Sequence, residues 1–143
     1  MRNRSVPTDT VLPHVVVQNL PAAIDWLAAA FGFVEHYRYG DNASGGAQMH
    51  FGDAYIMLHT ARPGSVTPKQ AGHRTQSLTI FVPDVDAHYR RASAAGAKML
   101  EEVHETCYGE RQYAAEDPDG HQWVFSQHAS DLNPEDWGAT LKK

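Results

Sequence analysis

His14–Gly32, HVVVQNLPAAIDWLAAAFG, and Thr79–Gly96, TIFVPDVDAHYRRASAAG, write the same local structure twice. Each begins with a β-branched or aromatic run, passes a polar cap, continues with helical periodicity and stops at a glycine. In the first copy Asn19 stands at the cap and Pro21 in the first turn, where a missing N–H costs little. Ile24, Leu27, Ala28 and Phe31 then fall at i, i+3, i+4 and i+7, which is one buried stripe. Gly32 is placed to end the helix in the left-handed conformation. In the second copy Pro83-Asp84 opens the helix, and Val85, Tyr89, Ala92 and Gly96 share a face. Val17 and Val82 close the two strands 65 residues apart. That period is too long for a solenoid and suits a duplicated half-domain.

Outward from these copies the chain reads as strands. Val11–Gln18 is the first. Phe33–Tyr39 alternates two unlike faces, and GDNASGG (40–46) is a turn-rich loop. Ala47–Phe51 and Ala54–Thr60 meet at Gly52-Asp53, a two-residue hairpin signal. ARPGSVTPKQAGHR (61–74) has the composition of a linker. Ser77–Val82 opens the second module, and Met99–Val103, Arg111–Ala115 and His121–Gln127 supply its later strands. Asp117-Pro118-Asp119-Gly120 is a turn with proline at i+1 and glycine at i+3. The expected fold class is α+β: two tandem βαβββ modules forming an eight-stranded curled sheet around a cavity, helices outside. Residues 1–10 read as a flexible leader and 11–128 as one domain, with module one at 11–60, the linker at 61–74 and module two at 75–128. The tail 129–143 carries NPEDW, a capped single turn that docks Trp137 on the body or on a second subunit.

Composition bounds the function. The chain has 143 residues, 42% of them hydrophobic, enough for a core without staples. Its net charge is −5 and no Lys/Arg stripe exists, so nucleic acid and anionic membranes are poor partners. The one cysteine, Cys107, forbids an internal disulfide or a cysteine zinc site and suits a cytoplasmic protein. It lies three residues from His104 with no orienting acid, so a thiol nucleophile is not supported. The start MRNRSVPTDT lacks the apolar run of a signal peptide, and no stretch is long enough to span a bilayer. No phosphate loop, serine elbow or nicotinamide fingerprint occurs.

The segments Val17-Gln18-Asn19-Leu20, Ala23–Leu27 and Phe31-Gly32-Phe33 resemble the vicinal oxygen chelate superfamily of glyoxalases, bleomycin-resistance proteins and extradiol dioxygenases. So do Val82–Val85, Ala94–Ala97, and Tyr108-Gly109-Glu110-Arg111 followed by Asp117-Pro118-Asp119-Gly120-His121. The resemblance spans about Val11 to His128. It implies a homodimer and, in metal-dependent members, His or Glu ligands at four strand positions. Those positions fall here on Leu12, Met57, Ser77 and Val124, none of them a histidine or a carboxylate. A divalent ion needs lone-pair donors, so the inherited metal site is expected to be absent, and no cofactor is assigned.

Side chains two apart on a strand share a face, so the cavity wall should include His14, Val16, Tyr55, Met57, His59, Ser77, Thr79, Gln122, Val124 and Ser126. This mixture of apolar surface and neutral donors is that of a small-molecule pocket. Tyr55 and Met57 read equally well as core. A displaced metal site on His14 and His59, with His50 or Gln122 nearby, lacks an inward carboxylate, so the histidines read better as hydrogen-bond partners. Arg111 can pair with an anionic ligand group or, preferred here, hold Asp117 or Glu116. The resemblance implies that the segment holding Tyr108, Arg111 and Tyr113 borders the pocket mouth. Trp123 and Phe125, of opposite parity, belong under the helices. His121 is expected to be structural or superficial.

The expected ligand-binding set is therefore His14, His50, Tyr55, Met57, His59, Ser77, Thr79, Arg111, Gln122 and Val124, with no catalytic residue. The function expected is metal-independent binding of a small organic ligand, planar or cationic, as in bleomycin-resistance-like proteins. The alternative is a glyoxalase-like lyase or isomerase, or a dioxygenase-related enzyme, built on His14 and His59.

Overall fold

The computed structural model describes residues 3–5 and 10–142. The remainder of the leader lies outside the described residues. The fold is α+β, in the order β1 (His14–Val17), α1 (Leu20–Phe31), β2 (Val34–Tyr39), β3 (Gly46–Phe51), β4 (Ala54–Thr60), α2 (Pro68–Ala71), β5 (Ser77–Phe81), α3 (Val85–Ala94), β6 (Lys98–Glu105), β7 (Glu110–Glu116) and β8 (Gln122–His128). A 3-10 turn, Pro134–Trp137, follows. The chain forms two compact units, 1–73 with 118–120, and 74–117 with 121–143.

Both units solve the same packing problem in the same way. The strand order is β1-β4-β3-β2 in one sheet and β5-β8-β7-β6 in the other, each with one parallel pair at its start. These are the tandem βαβββ modules expected from the duplicated sequence. In the first unit Asn19 Oδ1 accepts from Ala22 N–H, and Gly32 at φ 84° closes α1. Leu20, Ile24, Leu27, Ala30 and Phe31 are buried, with α1 resting on β2–β4. They meet Val15, Val17, Ala47, Met49, Ile56 and Leu58, the helix-facing alternates of the sheet. Each large aliphatic or aromatic side chain so buried contributes roughly 1.5–3 kcal/mol.

In the second unit Asp84 caps α3 by accepting from Ala87 N–H. Val85 and Ala92 face β6–β8, where Tyr113, Ala115, Trp123 and Phe125 are at most 1% exposed. Trp123 and Phe125 are core, as their parity requires. So is Tyr113: burial raises its phenol pKa, its hydroxyl lies 2.6 Å from His88 Nδ1 and its ring stacks on Phe125. Its expected place at a pocket mouth is therefore wrong, because the hydroxyl finds its partner on α3.

Three local features depart from the sequence reading. The linker holds a short helix, α2, capped by Thr67, whose side chain accepts from Gln70 N–H while the Gln70 amide accepts from Thr67 N–H. The simple alternation in β2 is broken by a bulge between Glu35 and Tyr37, which re-aims His36. β6 runs from Lys98 to Glu105 and carries two register shifts, so it extends two residues past the expected Val103. Among the described residues no helix is long and apolar enough to cross a membrane.

Candidate functional site

In the first unit the face of the sheet turned away from α1 carries His14, Tyr55, Met57 and His59. Parallel pairing sets His14 beside Met57, and the antiparallel partner strand brings Gln48 opposite Met57 and His50 opposite Tyr55. The His14 and His59 rings stand 6.1 Å apart and tilted. His50 stacks on Tyr55 at 5.2 Å, and its Nδ1 lies 3.1 Å from the Gly52 carbonyl. Met57 is 9% exposed, and its sulfur accepts from Gln48 Nε2 at 3.5 Å and Tyr37 hydroxyl at 3.7 Å. Gln48, fully buried, was not among the expected residues. Its Oε1 lies 2.5 Å from His36 Nδ1, and its Nε2 also donates to the Ser5 carbonyl at 2.5 Å. The signal was present in the sequence, since Gln48 shares parity with His50.

The second unit contains a cavity of about 410 Å³. Thr79 and Phe81 line it from β5, Glu101 from β6, and Tyr108 from the turn that follows. Glu110 and Gln112 line it from β7, and Gln122, Val124 and Ser126 from β8. The expected Thr79, Gln122, Val124 and Ser126 thus meet in one wall, while Ser77 sits exposed at the start of β5. Phe81, Glu101, Glu110 and Gln112 were not expected. Apolar Tyr113 and Ala115 had to face the helix, which forces Glu110 and Gln112 to the other side.

Arg111 illustrates the same rule. It does not line the cavity. Its guanidinium forks onto Asp86 of α3, Nε to Oδ2 at 3.0 Å and Nη2 to Oδ1 at 2.9 Å, and also reaches Glu105. The preference for a structural role agrees with this geometry, but the partners are not Asp117 or Glu116. Asp117 is occupied by the Trp123 indole N–H at 2.9 Å and the His121 N–H at 3.0 Å. Hydrogen bonding from Arg111 holds the Asp86 carboxyl below its ordinary range.

Hydrogen bonds organise the cavity rim. The Gln112 side-chain carbonyl accepts from the Tyr108 hydroxyl at 3.0 Å and from Ser126 Oγ at 3.4 Å. Glu110 Oε1 meets His128 Nδ1 at 3.2 Å, and His128 Nε2 meets Asp131 at 2.6 Å. Those two carboxylates raise the His128 pKa, Asp131 first. Trp137 packs edge-on against Tyr108, with ring centroids 5.8 Å apart.

The residues do not fit the divalent metal of the fold's metal-dependent members. Met57 offers a thioether already engaged by an amide and a phenol, Val124 offers carbon, and Leu12 has no donor. Among the described residues, no three of His, Cys, Asp and Glu converge as a metal site.

Residues 9–125 match the family model described as the Glyoxalase/Bleomycin resistance protein/Dioxygenase superfamily, and the chain belongs to that superfamily. An uncharacterized protein of Mycobacterium bovis is 30% identical over 136 residues, covering 90% of each chain. Among solved structures, TioX from Micromonospora sp. ML1 is 28% identical with a TM-score of 0.70, over 85% of this chain and 99% of that one. The fosfomycin resistance protein FosX from Listeria monocytogenes has a TM-score of 0.66 over 91% of this chain and 98% of its own. At 16% identity FosX shares the fold alone.

Proposed function

We propose, taking membership of this superfamily as the premise, that the chain is a metal-independent binding protein that sequesters a small organic molecule. The observation that carries this reading is the chemistry of the cavity wall. Where ligands to a metal stand in metal-dependent members, this chain places Met57 and Val124. Around Val124 the cavity has aromatic and aliphatic surface with amides, hydroxyls and the two carboxylates of Glu101 and Glu110, a composition that suits an organic ligand. The likeness to TioX and membership of a superfamily whose description includes bleomycin resistance are consistent with it. The protein is further proposed to act as a cytoplasmic homodimer, as the resemblance and the single exposed cysteine suggest.

The test is a thermal-melting screen of chelator-treated protein against aromatic organic compounds and, separately, Ni²⁺, Zn²⁺ and Fe²⁺. Stabilisation by organic compounds alone is expected. Stabilisation by a divalent ion alone overturns the reading. Light scattering checks the dimer, and a monomer mass would remove that part.

One observation favours a second reading. His14 and His59 lie close enough, with ring centroids 6.1 Å apart, to serve one substrate as acid and base in a glyoxalase-like lyase or isomerase. The donors described on that face, Gln48 Nε2 and the Tyr37 hydroxyl, are engaged by Met57 and the Ser5 carbonyl rather than aimed at a developing oxyanion, which is why binding is preferred. Turnover of a hemithioacetal, lost on replacing both histidines by alanine, would put the enzyme first.

A further inference from the structure

We propose that the cavity of the second unit binds an organic cation bearing N–H donors, such as an amidinium or guanidinium on a flat body, with Glu110 as its anionic anchor. The proposal rests on the small-molecule-binding reading and names the ligand class for it.

Glu110 is the starting point. Its Oε2 is the one buried side-chain polar atom among the described residues that has no hydrogen-bond partner. The side chain is 16% exposed, and its other oxygen faces His128. A carboxylate oxygen withdrawn from water without a donor is costly, and native proteins rarely leave one so. Here it lies on a strand whose next cavity-facing residue, Gln112, is held by Tyr108 and Ser126. The missing partner of Glu110 is assigned to a donor that enters the cavity and is met by a turn of the Glu110 side chain, since the oxygen as it stands is covered from water.

Charge selects which donor. Glu101 lines the same cavity and, among the described residues, no lysine or arginine does. Arg111, the neighbouring cation in sequence, is turned to the opposite face and committed to Asp86 and Glu105. Lys98 is paired with Glu116. A cation entering the cavity therefore meets carboxylate, and His128, the cationic neighbour of Glu110, holds only its Oε1.

Shape selects the rest of the ligand. Phe81 is 60% exposed and Tyr108 39%, unusual for large aromatics, and both line the cavity. Their rings offer a flat apolar body a stacking surface and a positive group a cation–π contact. A quaternary ammonium would satisfy the rings and leave Glu110 Oε2 without a hydrogen bond, so N–H donors are required.

The experiment compares benzamidine with its neutral near-isostere benzamide, by calorimetric titration into chelator-treated full-length protein, for wild type and Glu110→Gln. Benzamidine should bind wild type saturably and at least about tenfold more tightly than benzamide, the scale of one charge-assisted hydrogen bond. Glu110→Gln should lose about that factor for benzamidine and leave benzamide unchanged. Equal affinity of the two probes for wild type overturns the cation site while leaving an organic-ligand receptor standing. Benzamidine binding unaffected by Glu110→Gln removes Glu110 as the anchor and overturns the proposal. Failure of both probes, with a divalent ion binding instead, overturns the proposal and the receptor reading together. Should the variant not fold by circular dichroism, the wild-type ratio of the two probes decides alone.

Discussion

The indole N–H of Trp123 donates to Asp117 Oδ2 at 2.9 Å, both residues being buried. Asp117 opens the β7–β8 turn and its other oxygen accepts from the His121 N–H, so one carboxylate fixes both the turn and the largest core side chain. Asp117→Ala strands a buried indole donor and a turn amide. A loss of about 2–4 kcal/mol is expected in urea unfolding, with Asp117→Asn retaining part of it. A variant as stable as wild type would show the turn to be held by other contacts.

Stability should depend on pH through His128. Its pKa is raised above the ordinary value of 6.5 by hydrogen bonds to Asp131 and Glu110. A raised folded-state pKa contributes stability that is complete below the unfolded value and is lost as pH rises through the folded one. The melting temperature should therefore fall as pH rises from the ordinary histidine value through the raised folded-state one, and His128→Ala should flatten that stretch. An unchanged slope in the variant would place the titrating group elsewhere.

Gly109 should resist substitution. It sits at φ 88°, and an added Cβ would run into the Ser130 carbonyl. Its own carbonyl accepts from Ala129 N–H at 2.8 Å and Ser130 N–H at 2.9 Å, anchoring the tail beside Tyr108 and Glu110. Gly109→Ala is expected to cost about 1–3 kcal/mol and to weaken benzamidine binding, seen together in melting and titration. Full affinity in the variant would separate the tail from the cavity.

Replacing His14 and His59 together by alanine should leave organic-ligand affinity in the second unit unchanged, because neither residue belongs to that unit. Titration of the double variant checks this directly. A large loss would move the site to the first unit's sheet.

Arg111→Ala is likewise expected to leave benzamidine affinity near the wild-type value, since the guanidinium faces α3. Its effect should appear instead in the melting temperature above the carboxylate range and disappear at low pH. Asp86, held below its ordinary range by Arg111, contributes stability above the unfolded carboxylate pKa that fades as pH falls through the folded one, and the variant should lose that contribution.

The architecture could be read from the chain because its signals are local. Asn19, Pro21 and Gly32 act on the backbone within a turn of themselves, and the alternation in Ala54–Thr60 specifies a strand whatever it pairs with. Repeating that grammar 65 residues later requires a second copy of the same module. The cavity was half legible. Thr79, Gln122, Val124 and Ser126 follow from parity, whereas the charge of Arg111 and of Glu110 does not say which of the two faces the cavity.

What the sequence determined by itself was the set of elements, the duplicated modules and the face each strand residue shares with its second neighbours, all consequences of backbone geometry. Which of two faces is turned to the helix, and which charged groups meet, depended on partners distant in the chain. Arg111 finds Asp86 25 positions away, and Glu110 meets His128 18 positions away. That left Glu110 Oε2 buried without a donor. Only the tertiary structure could decide this, because an unpaired oxygen is defined by everything packed around it.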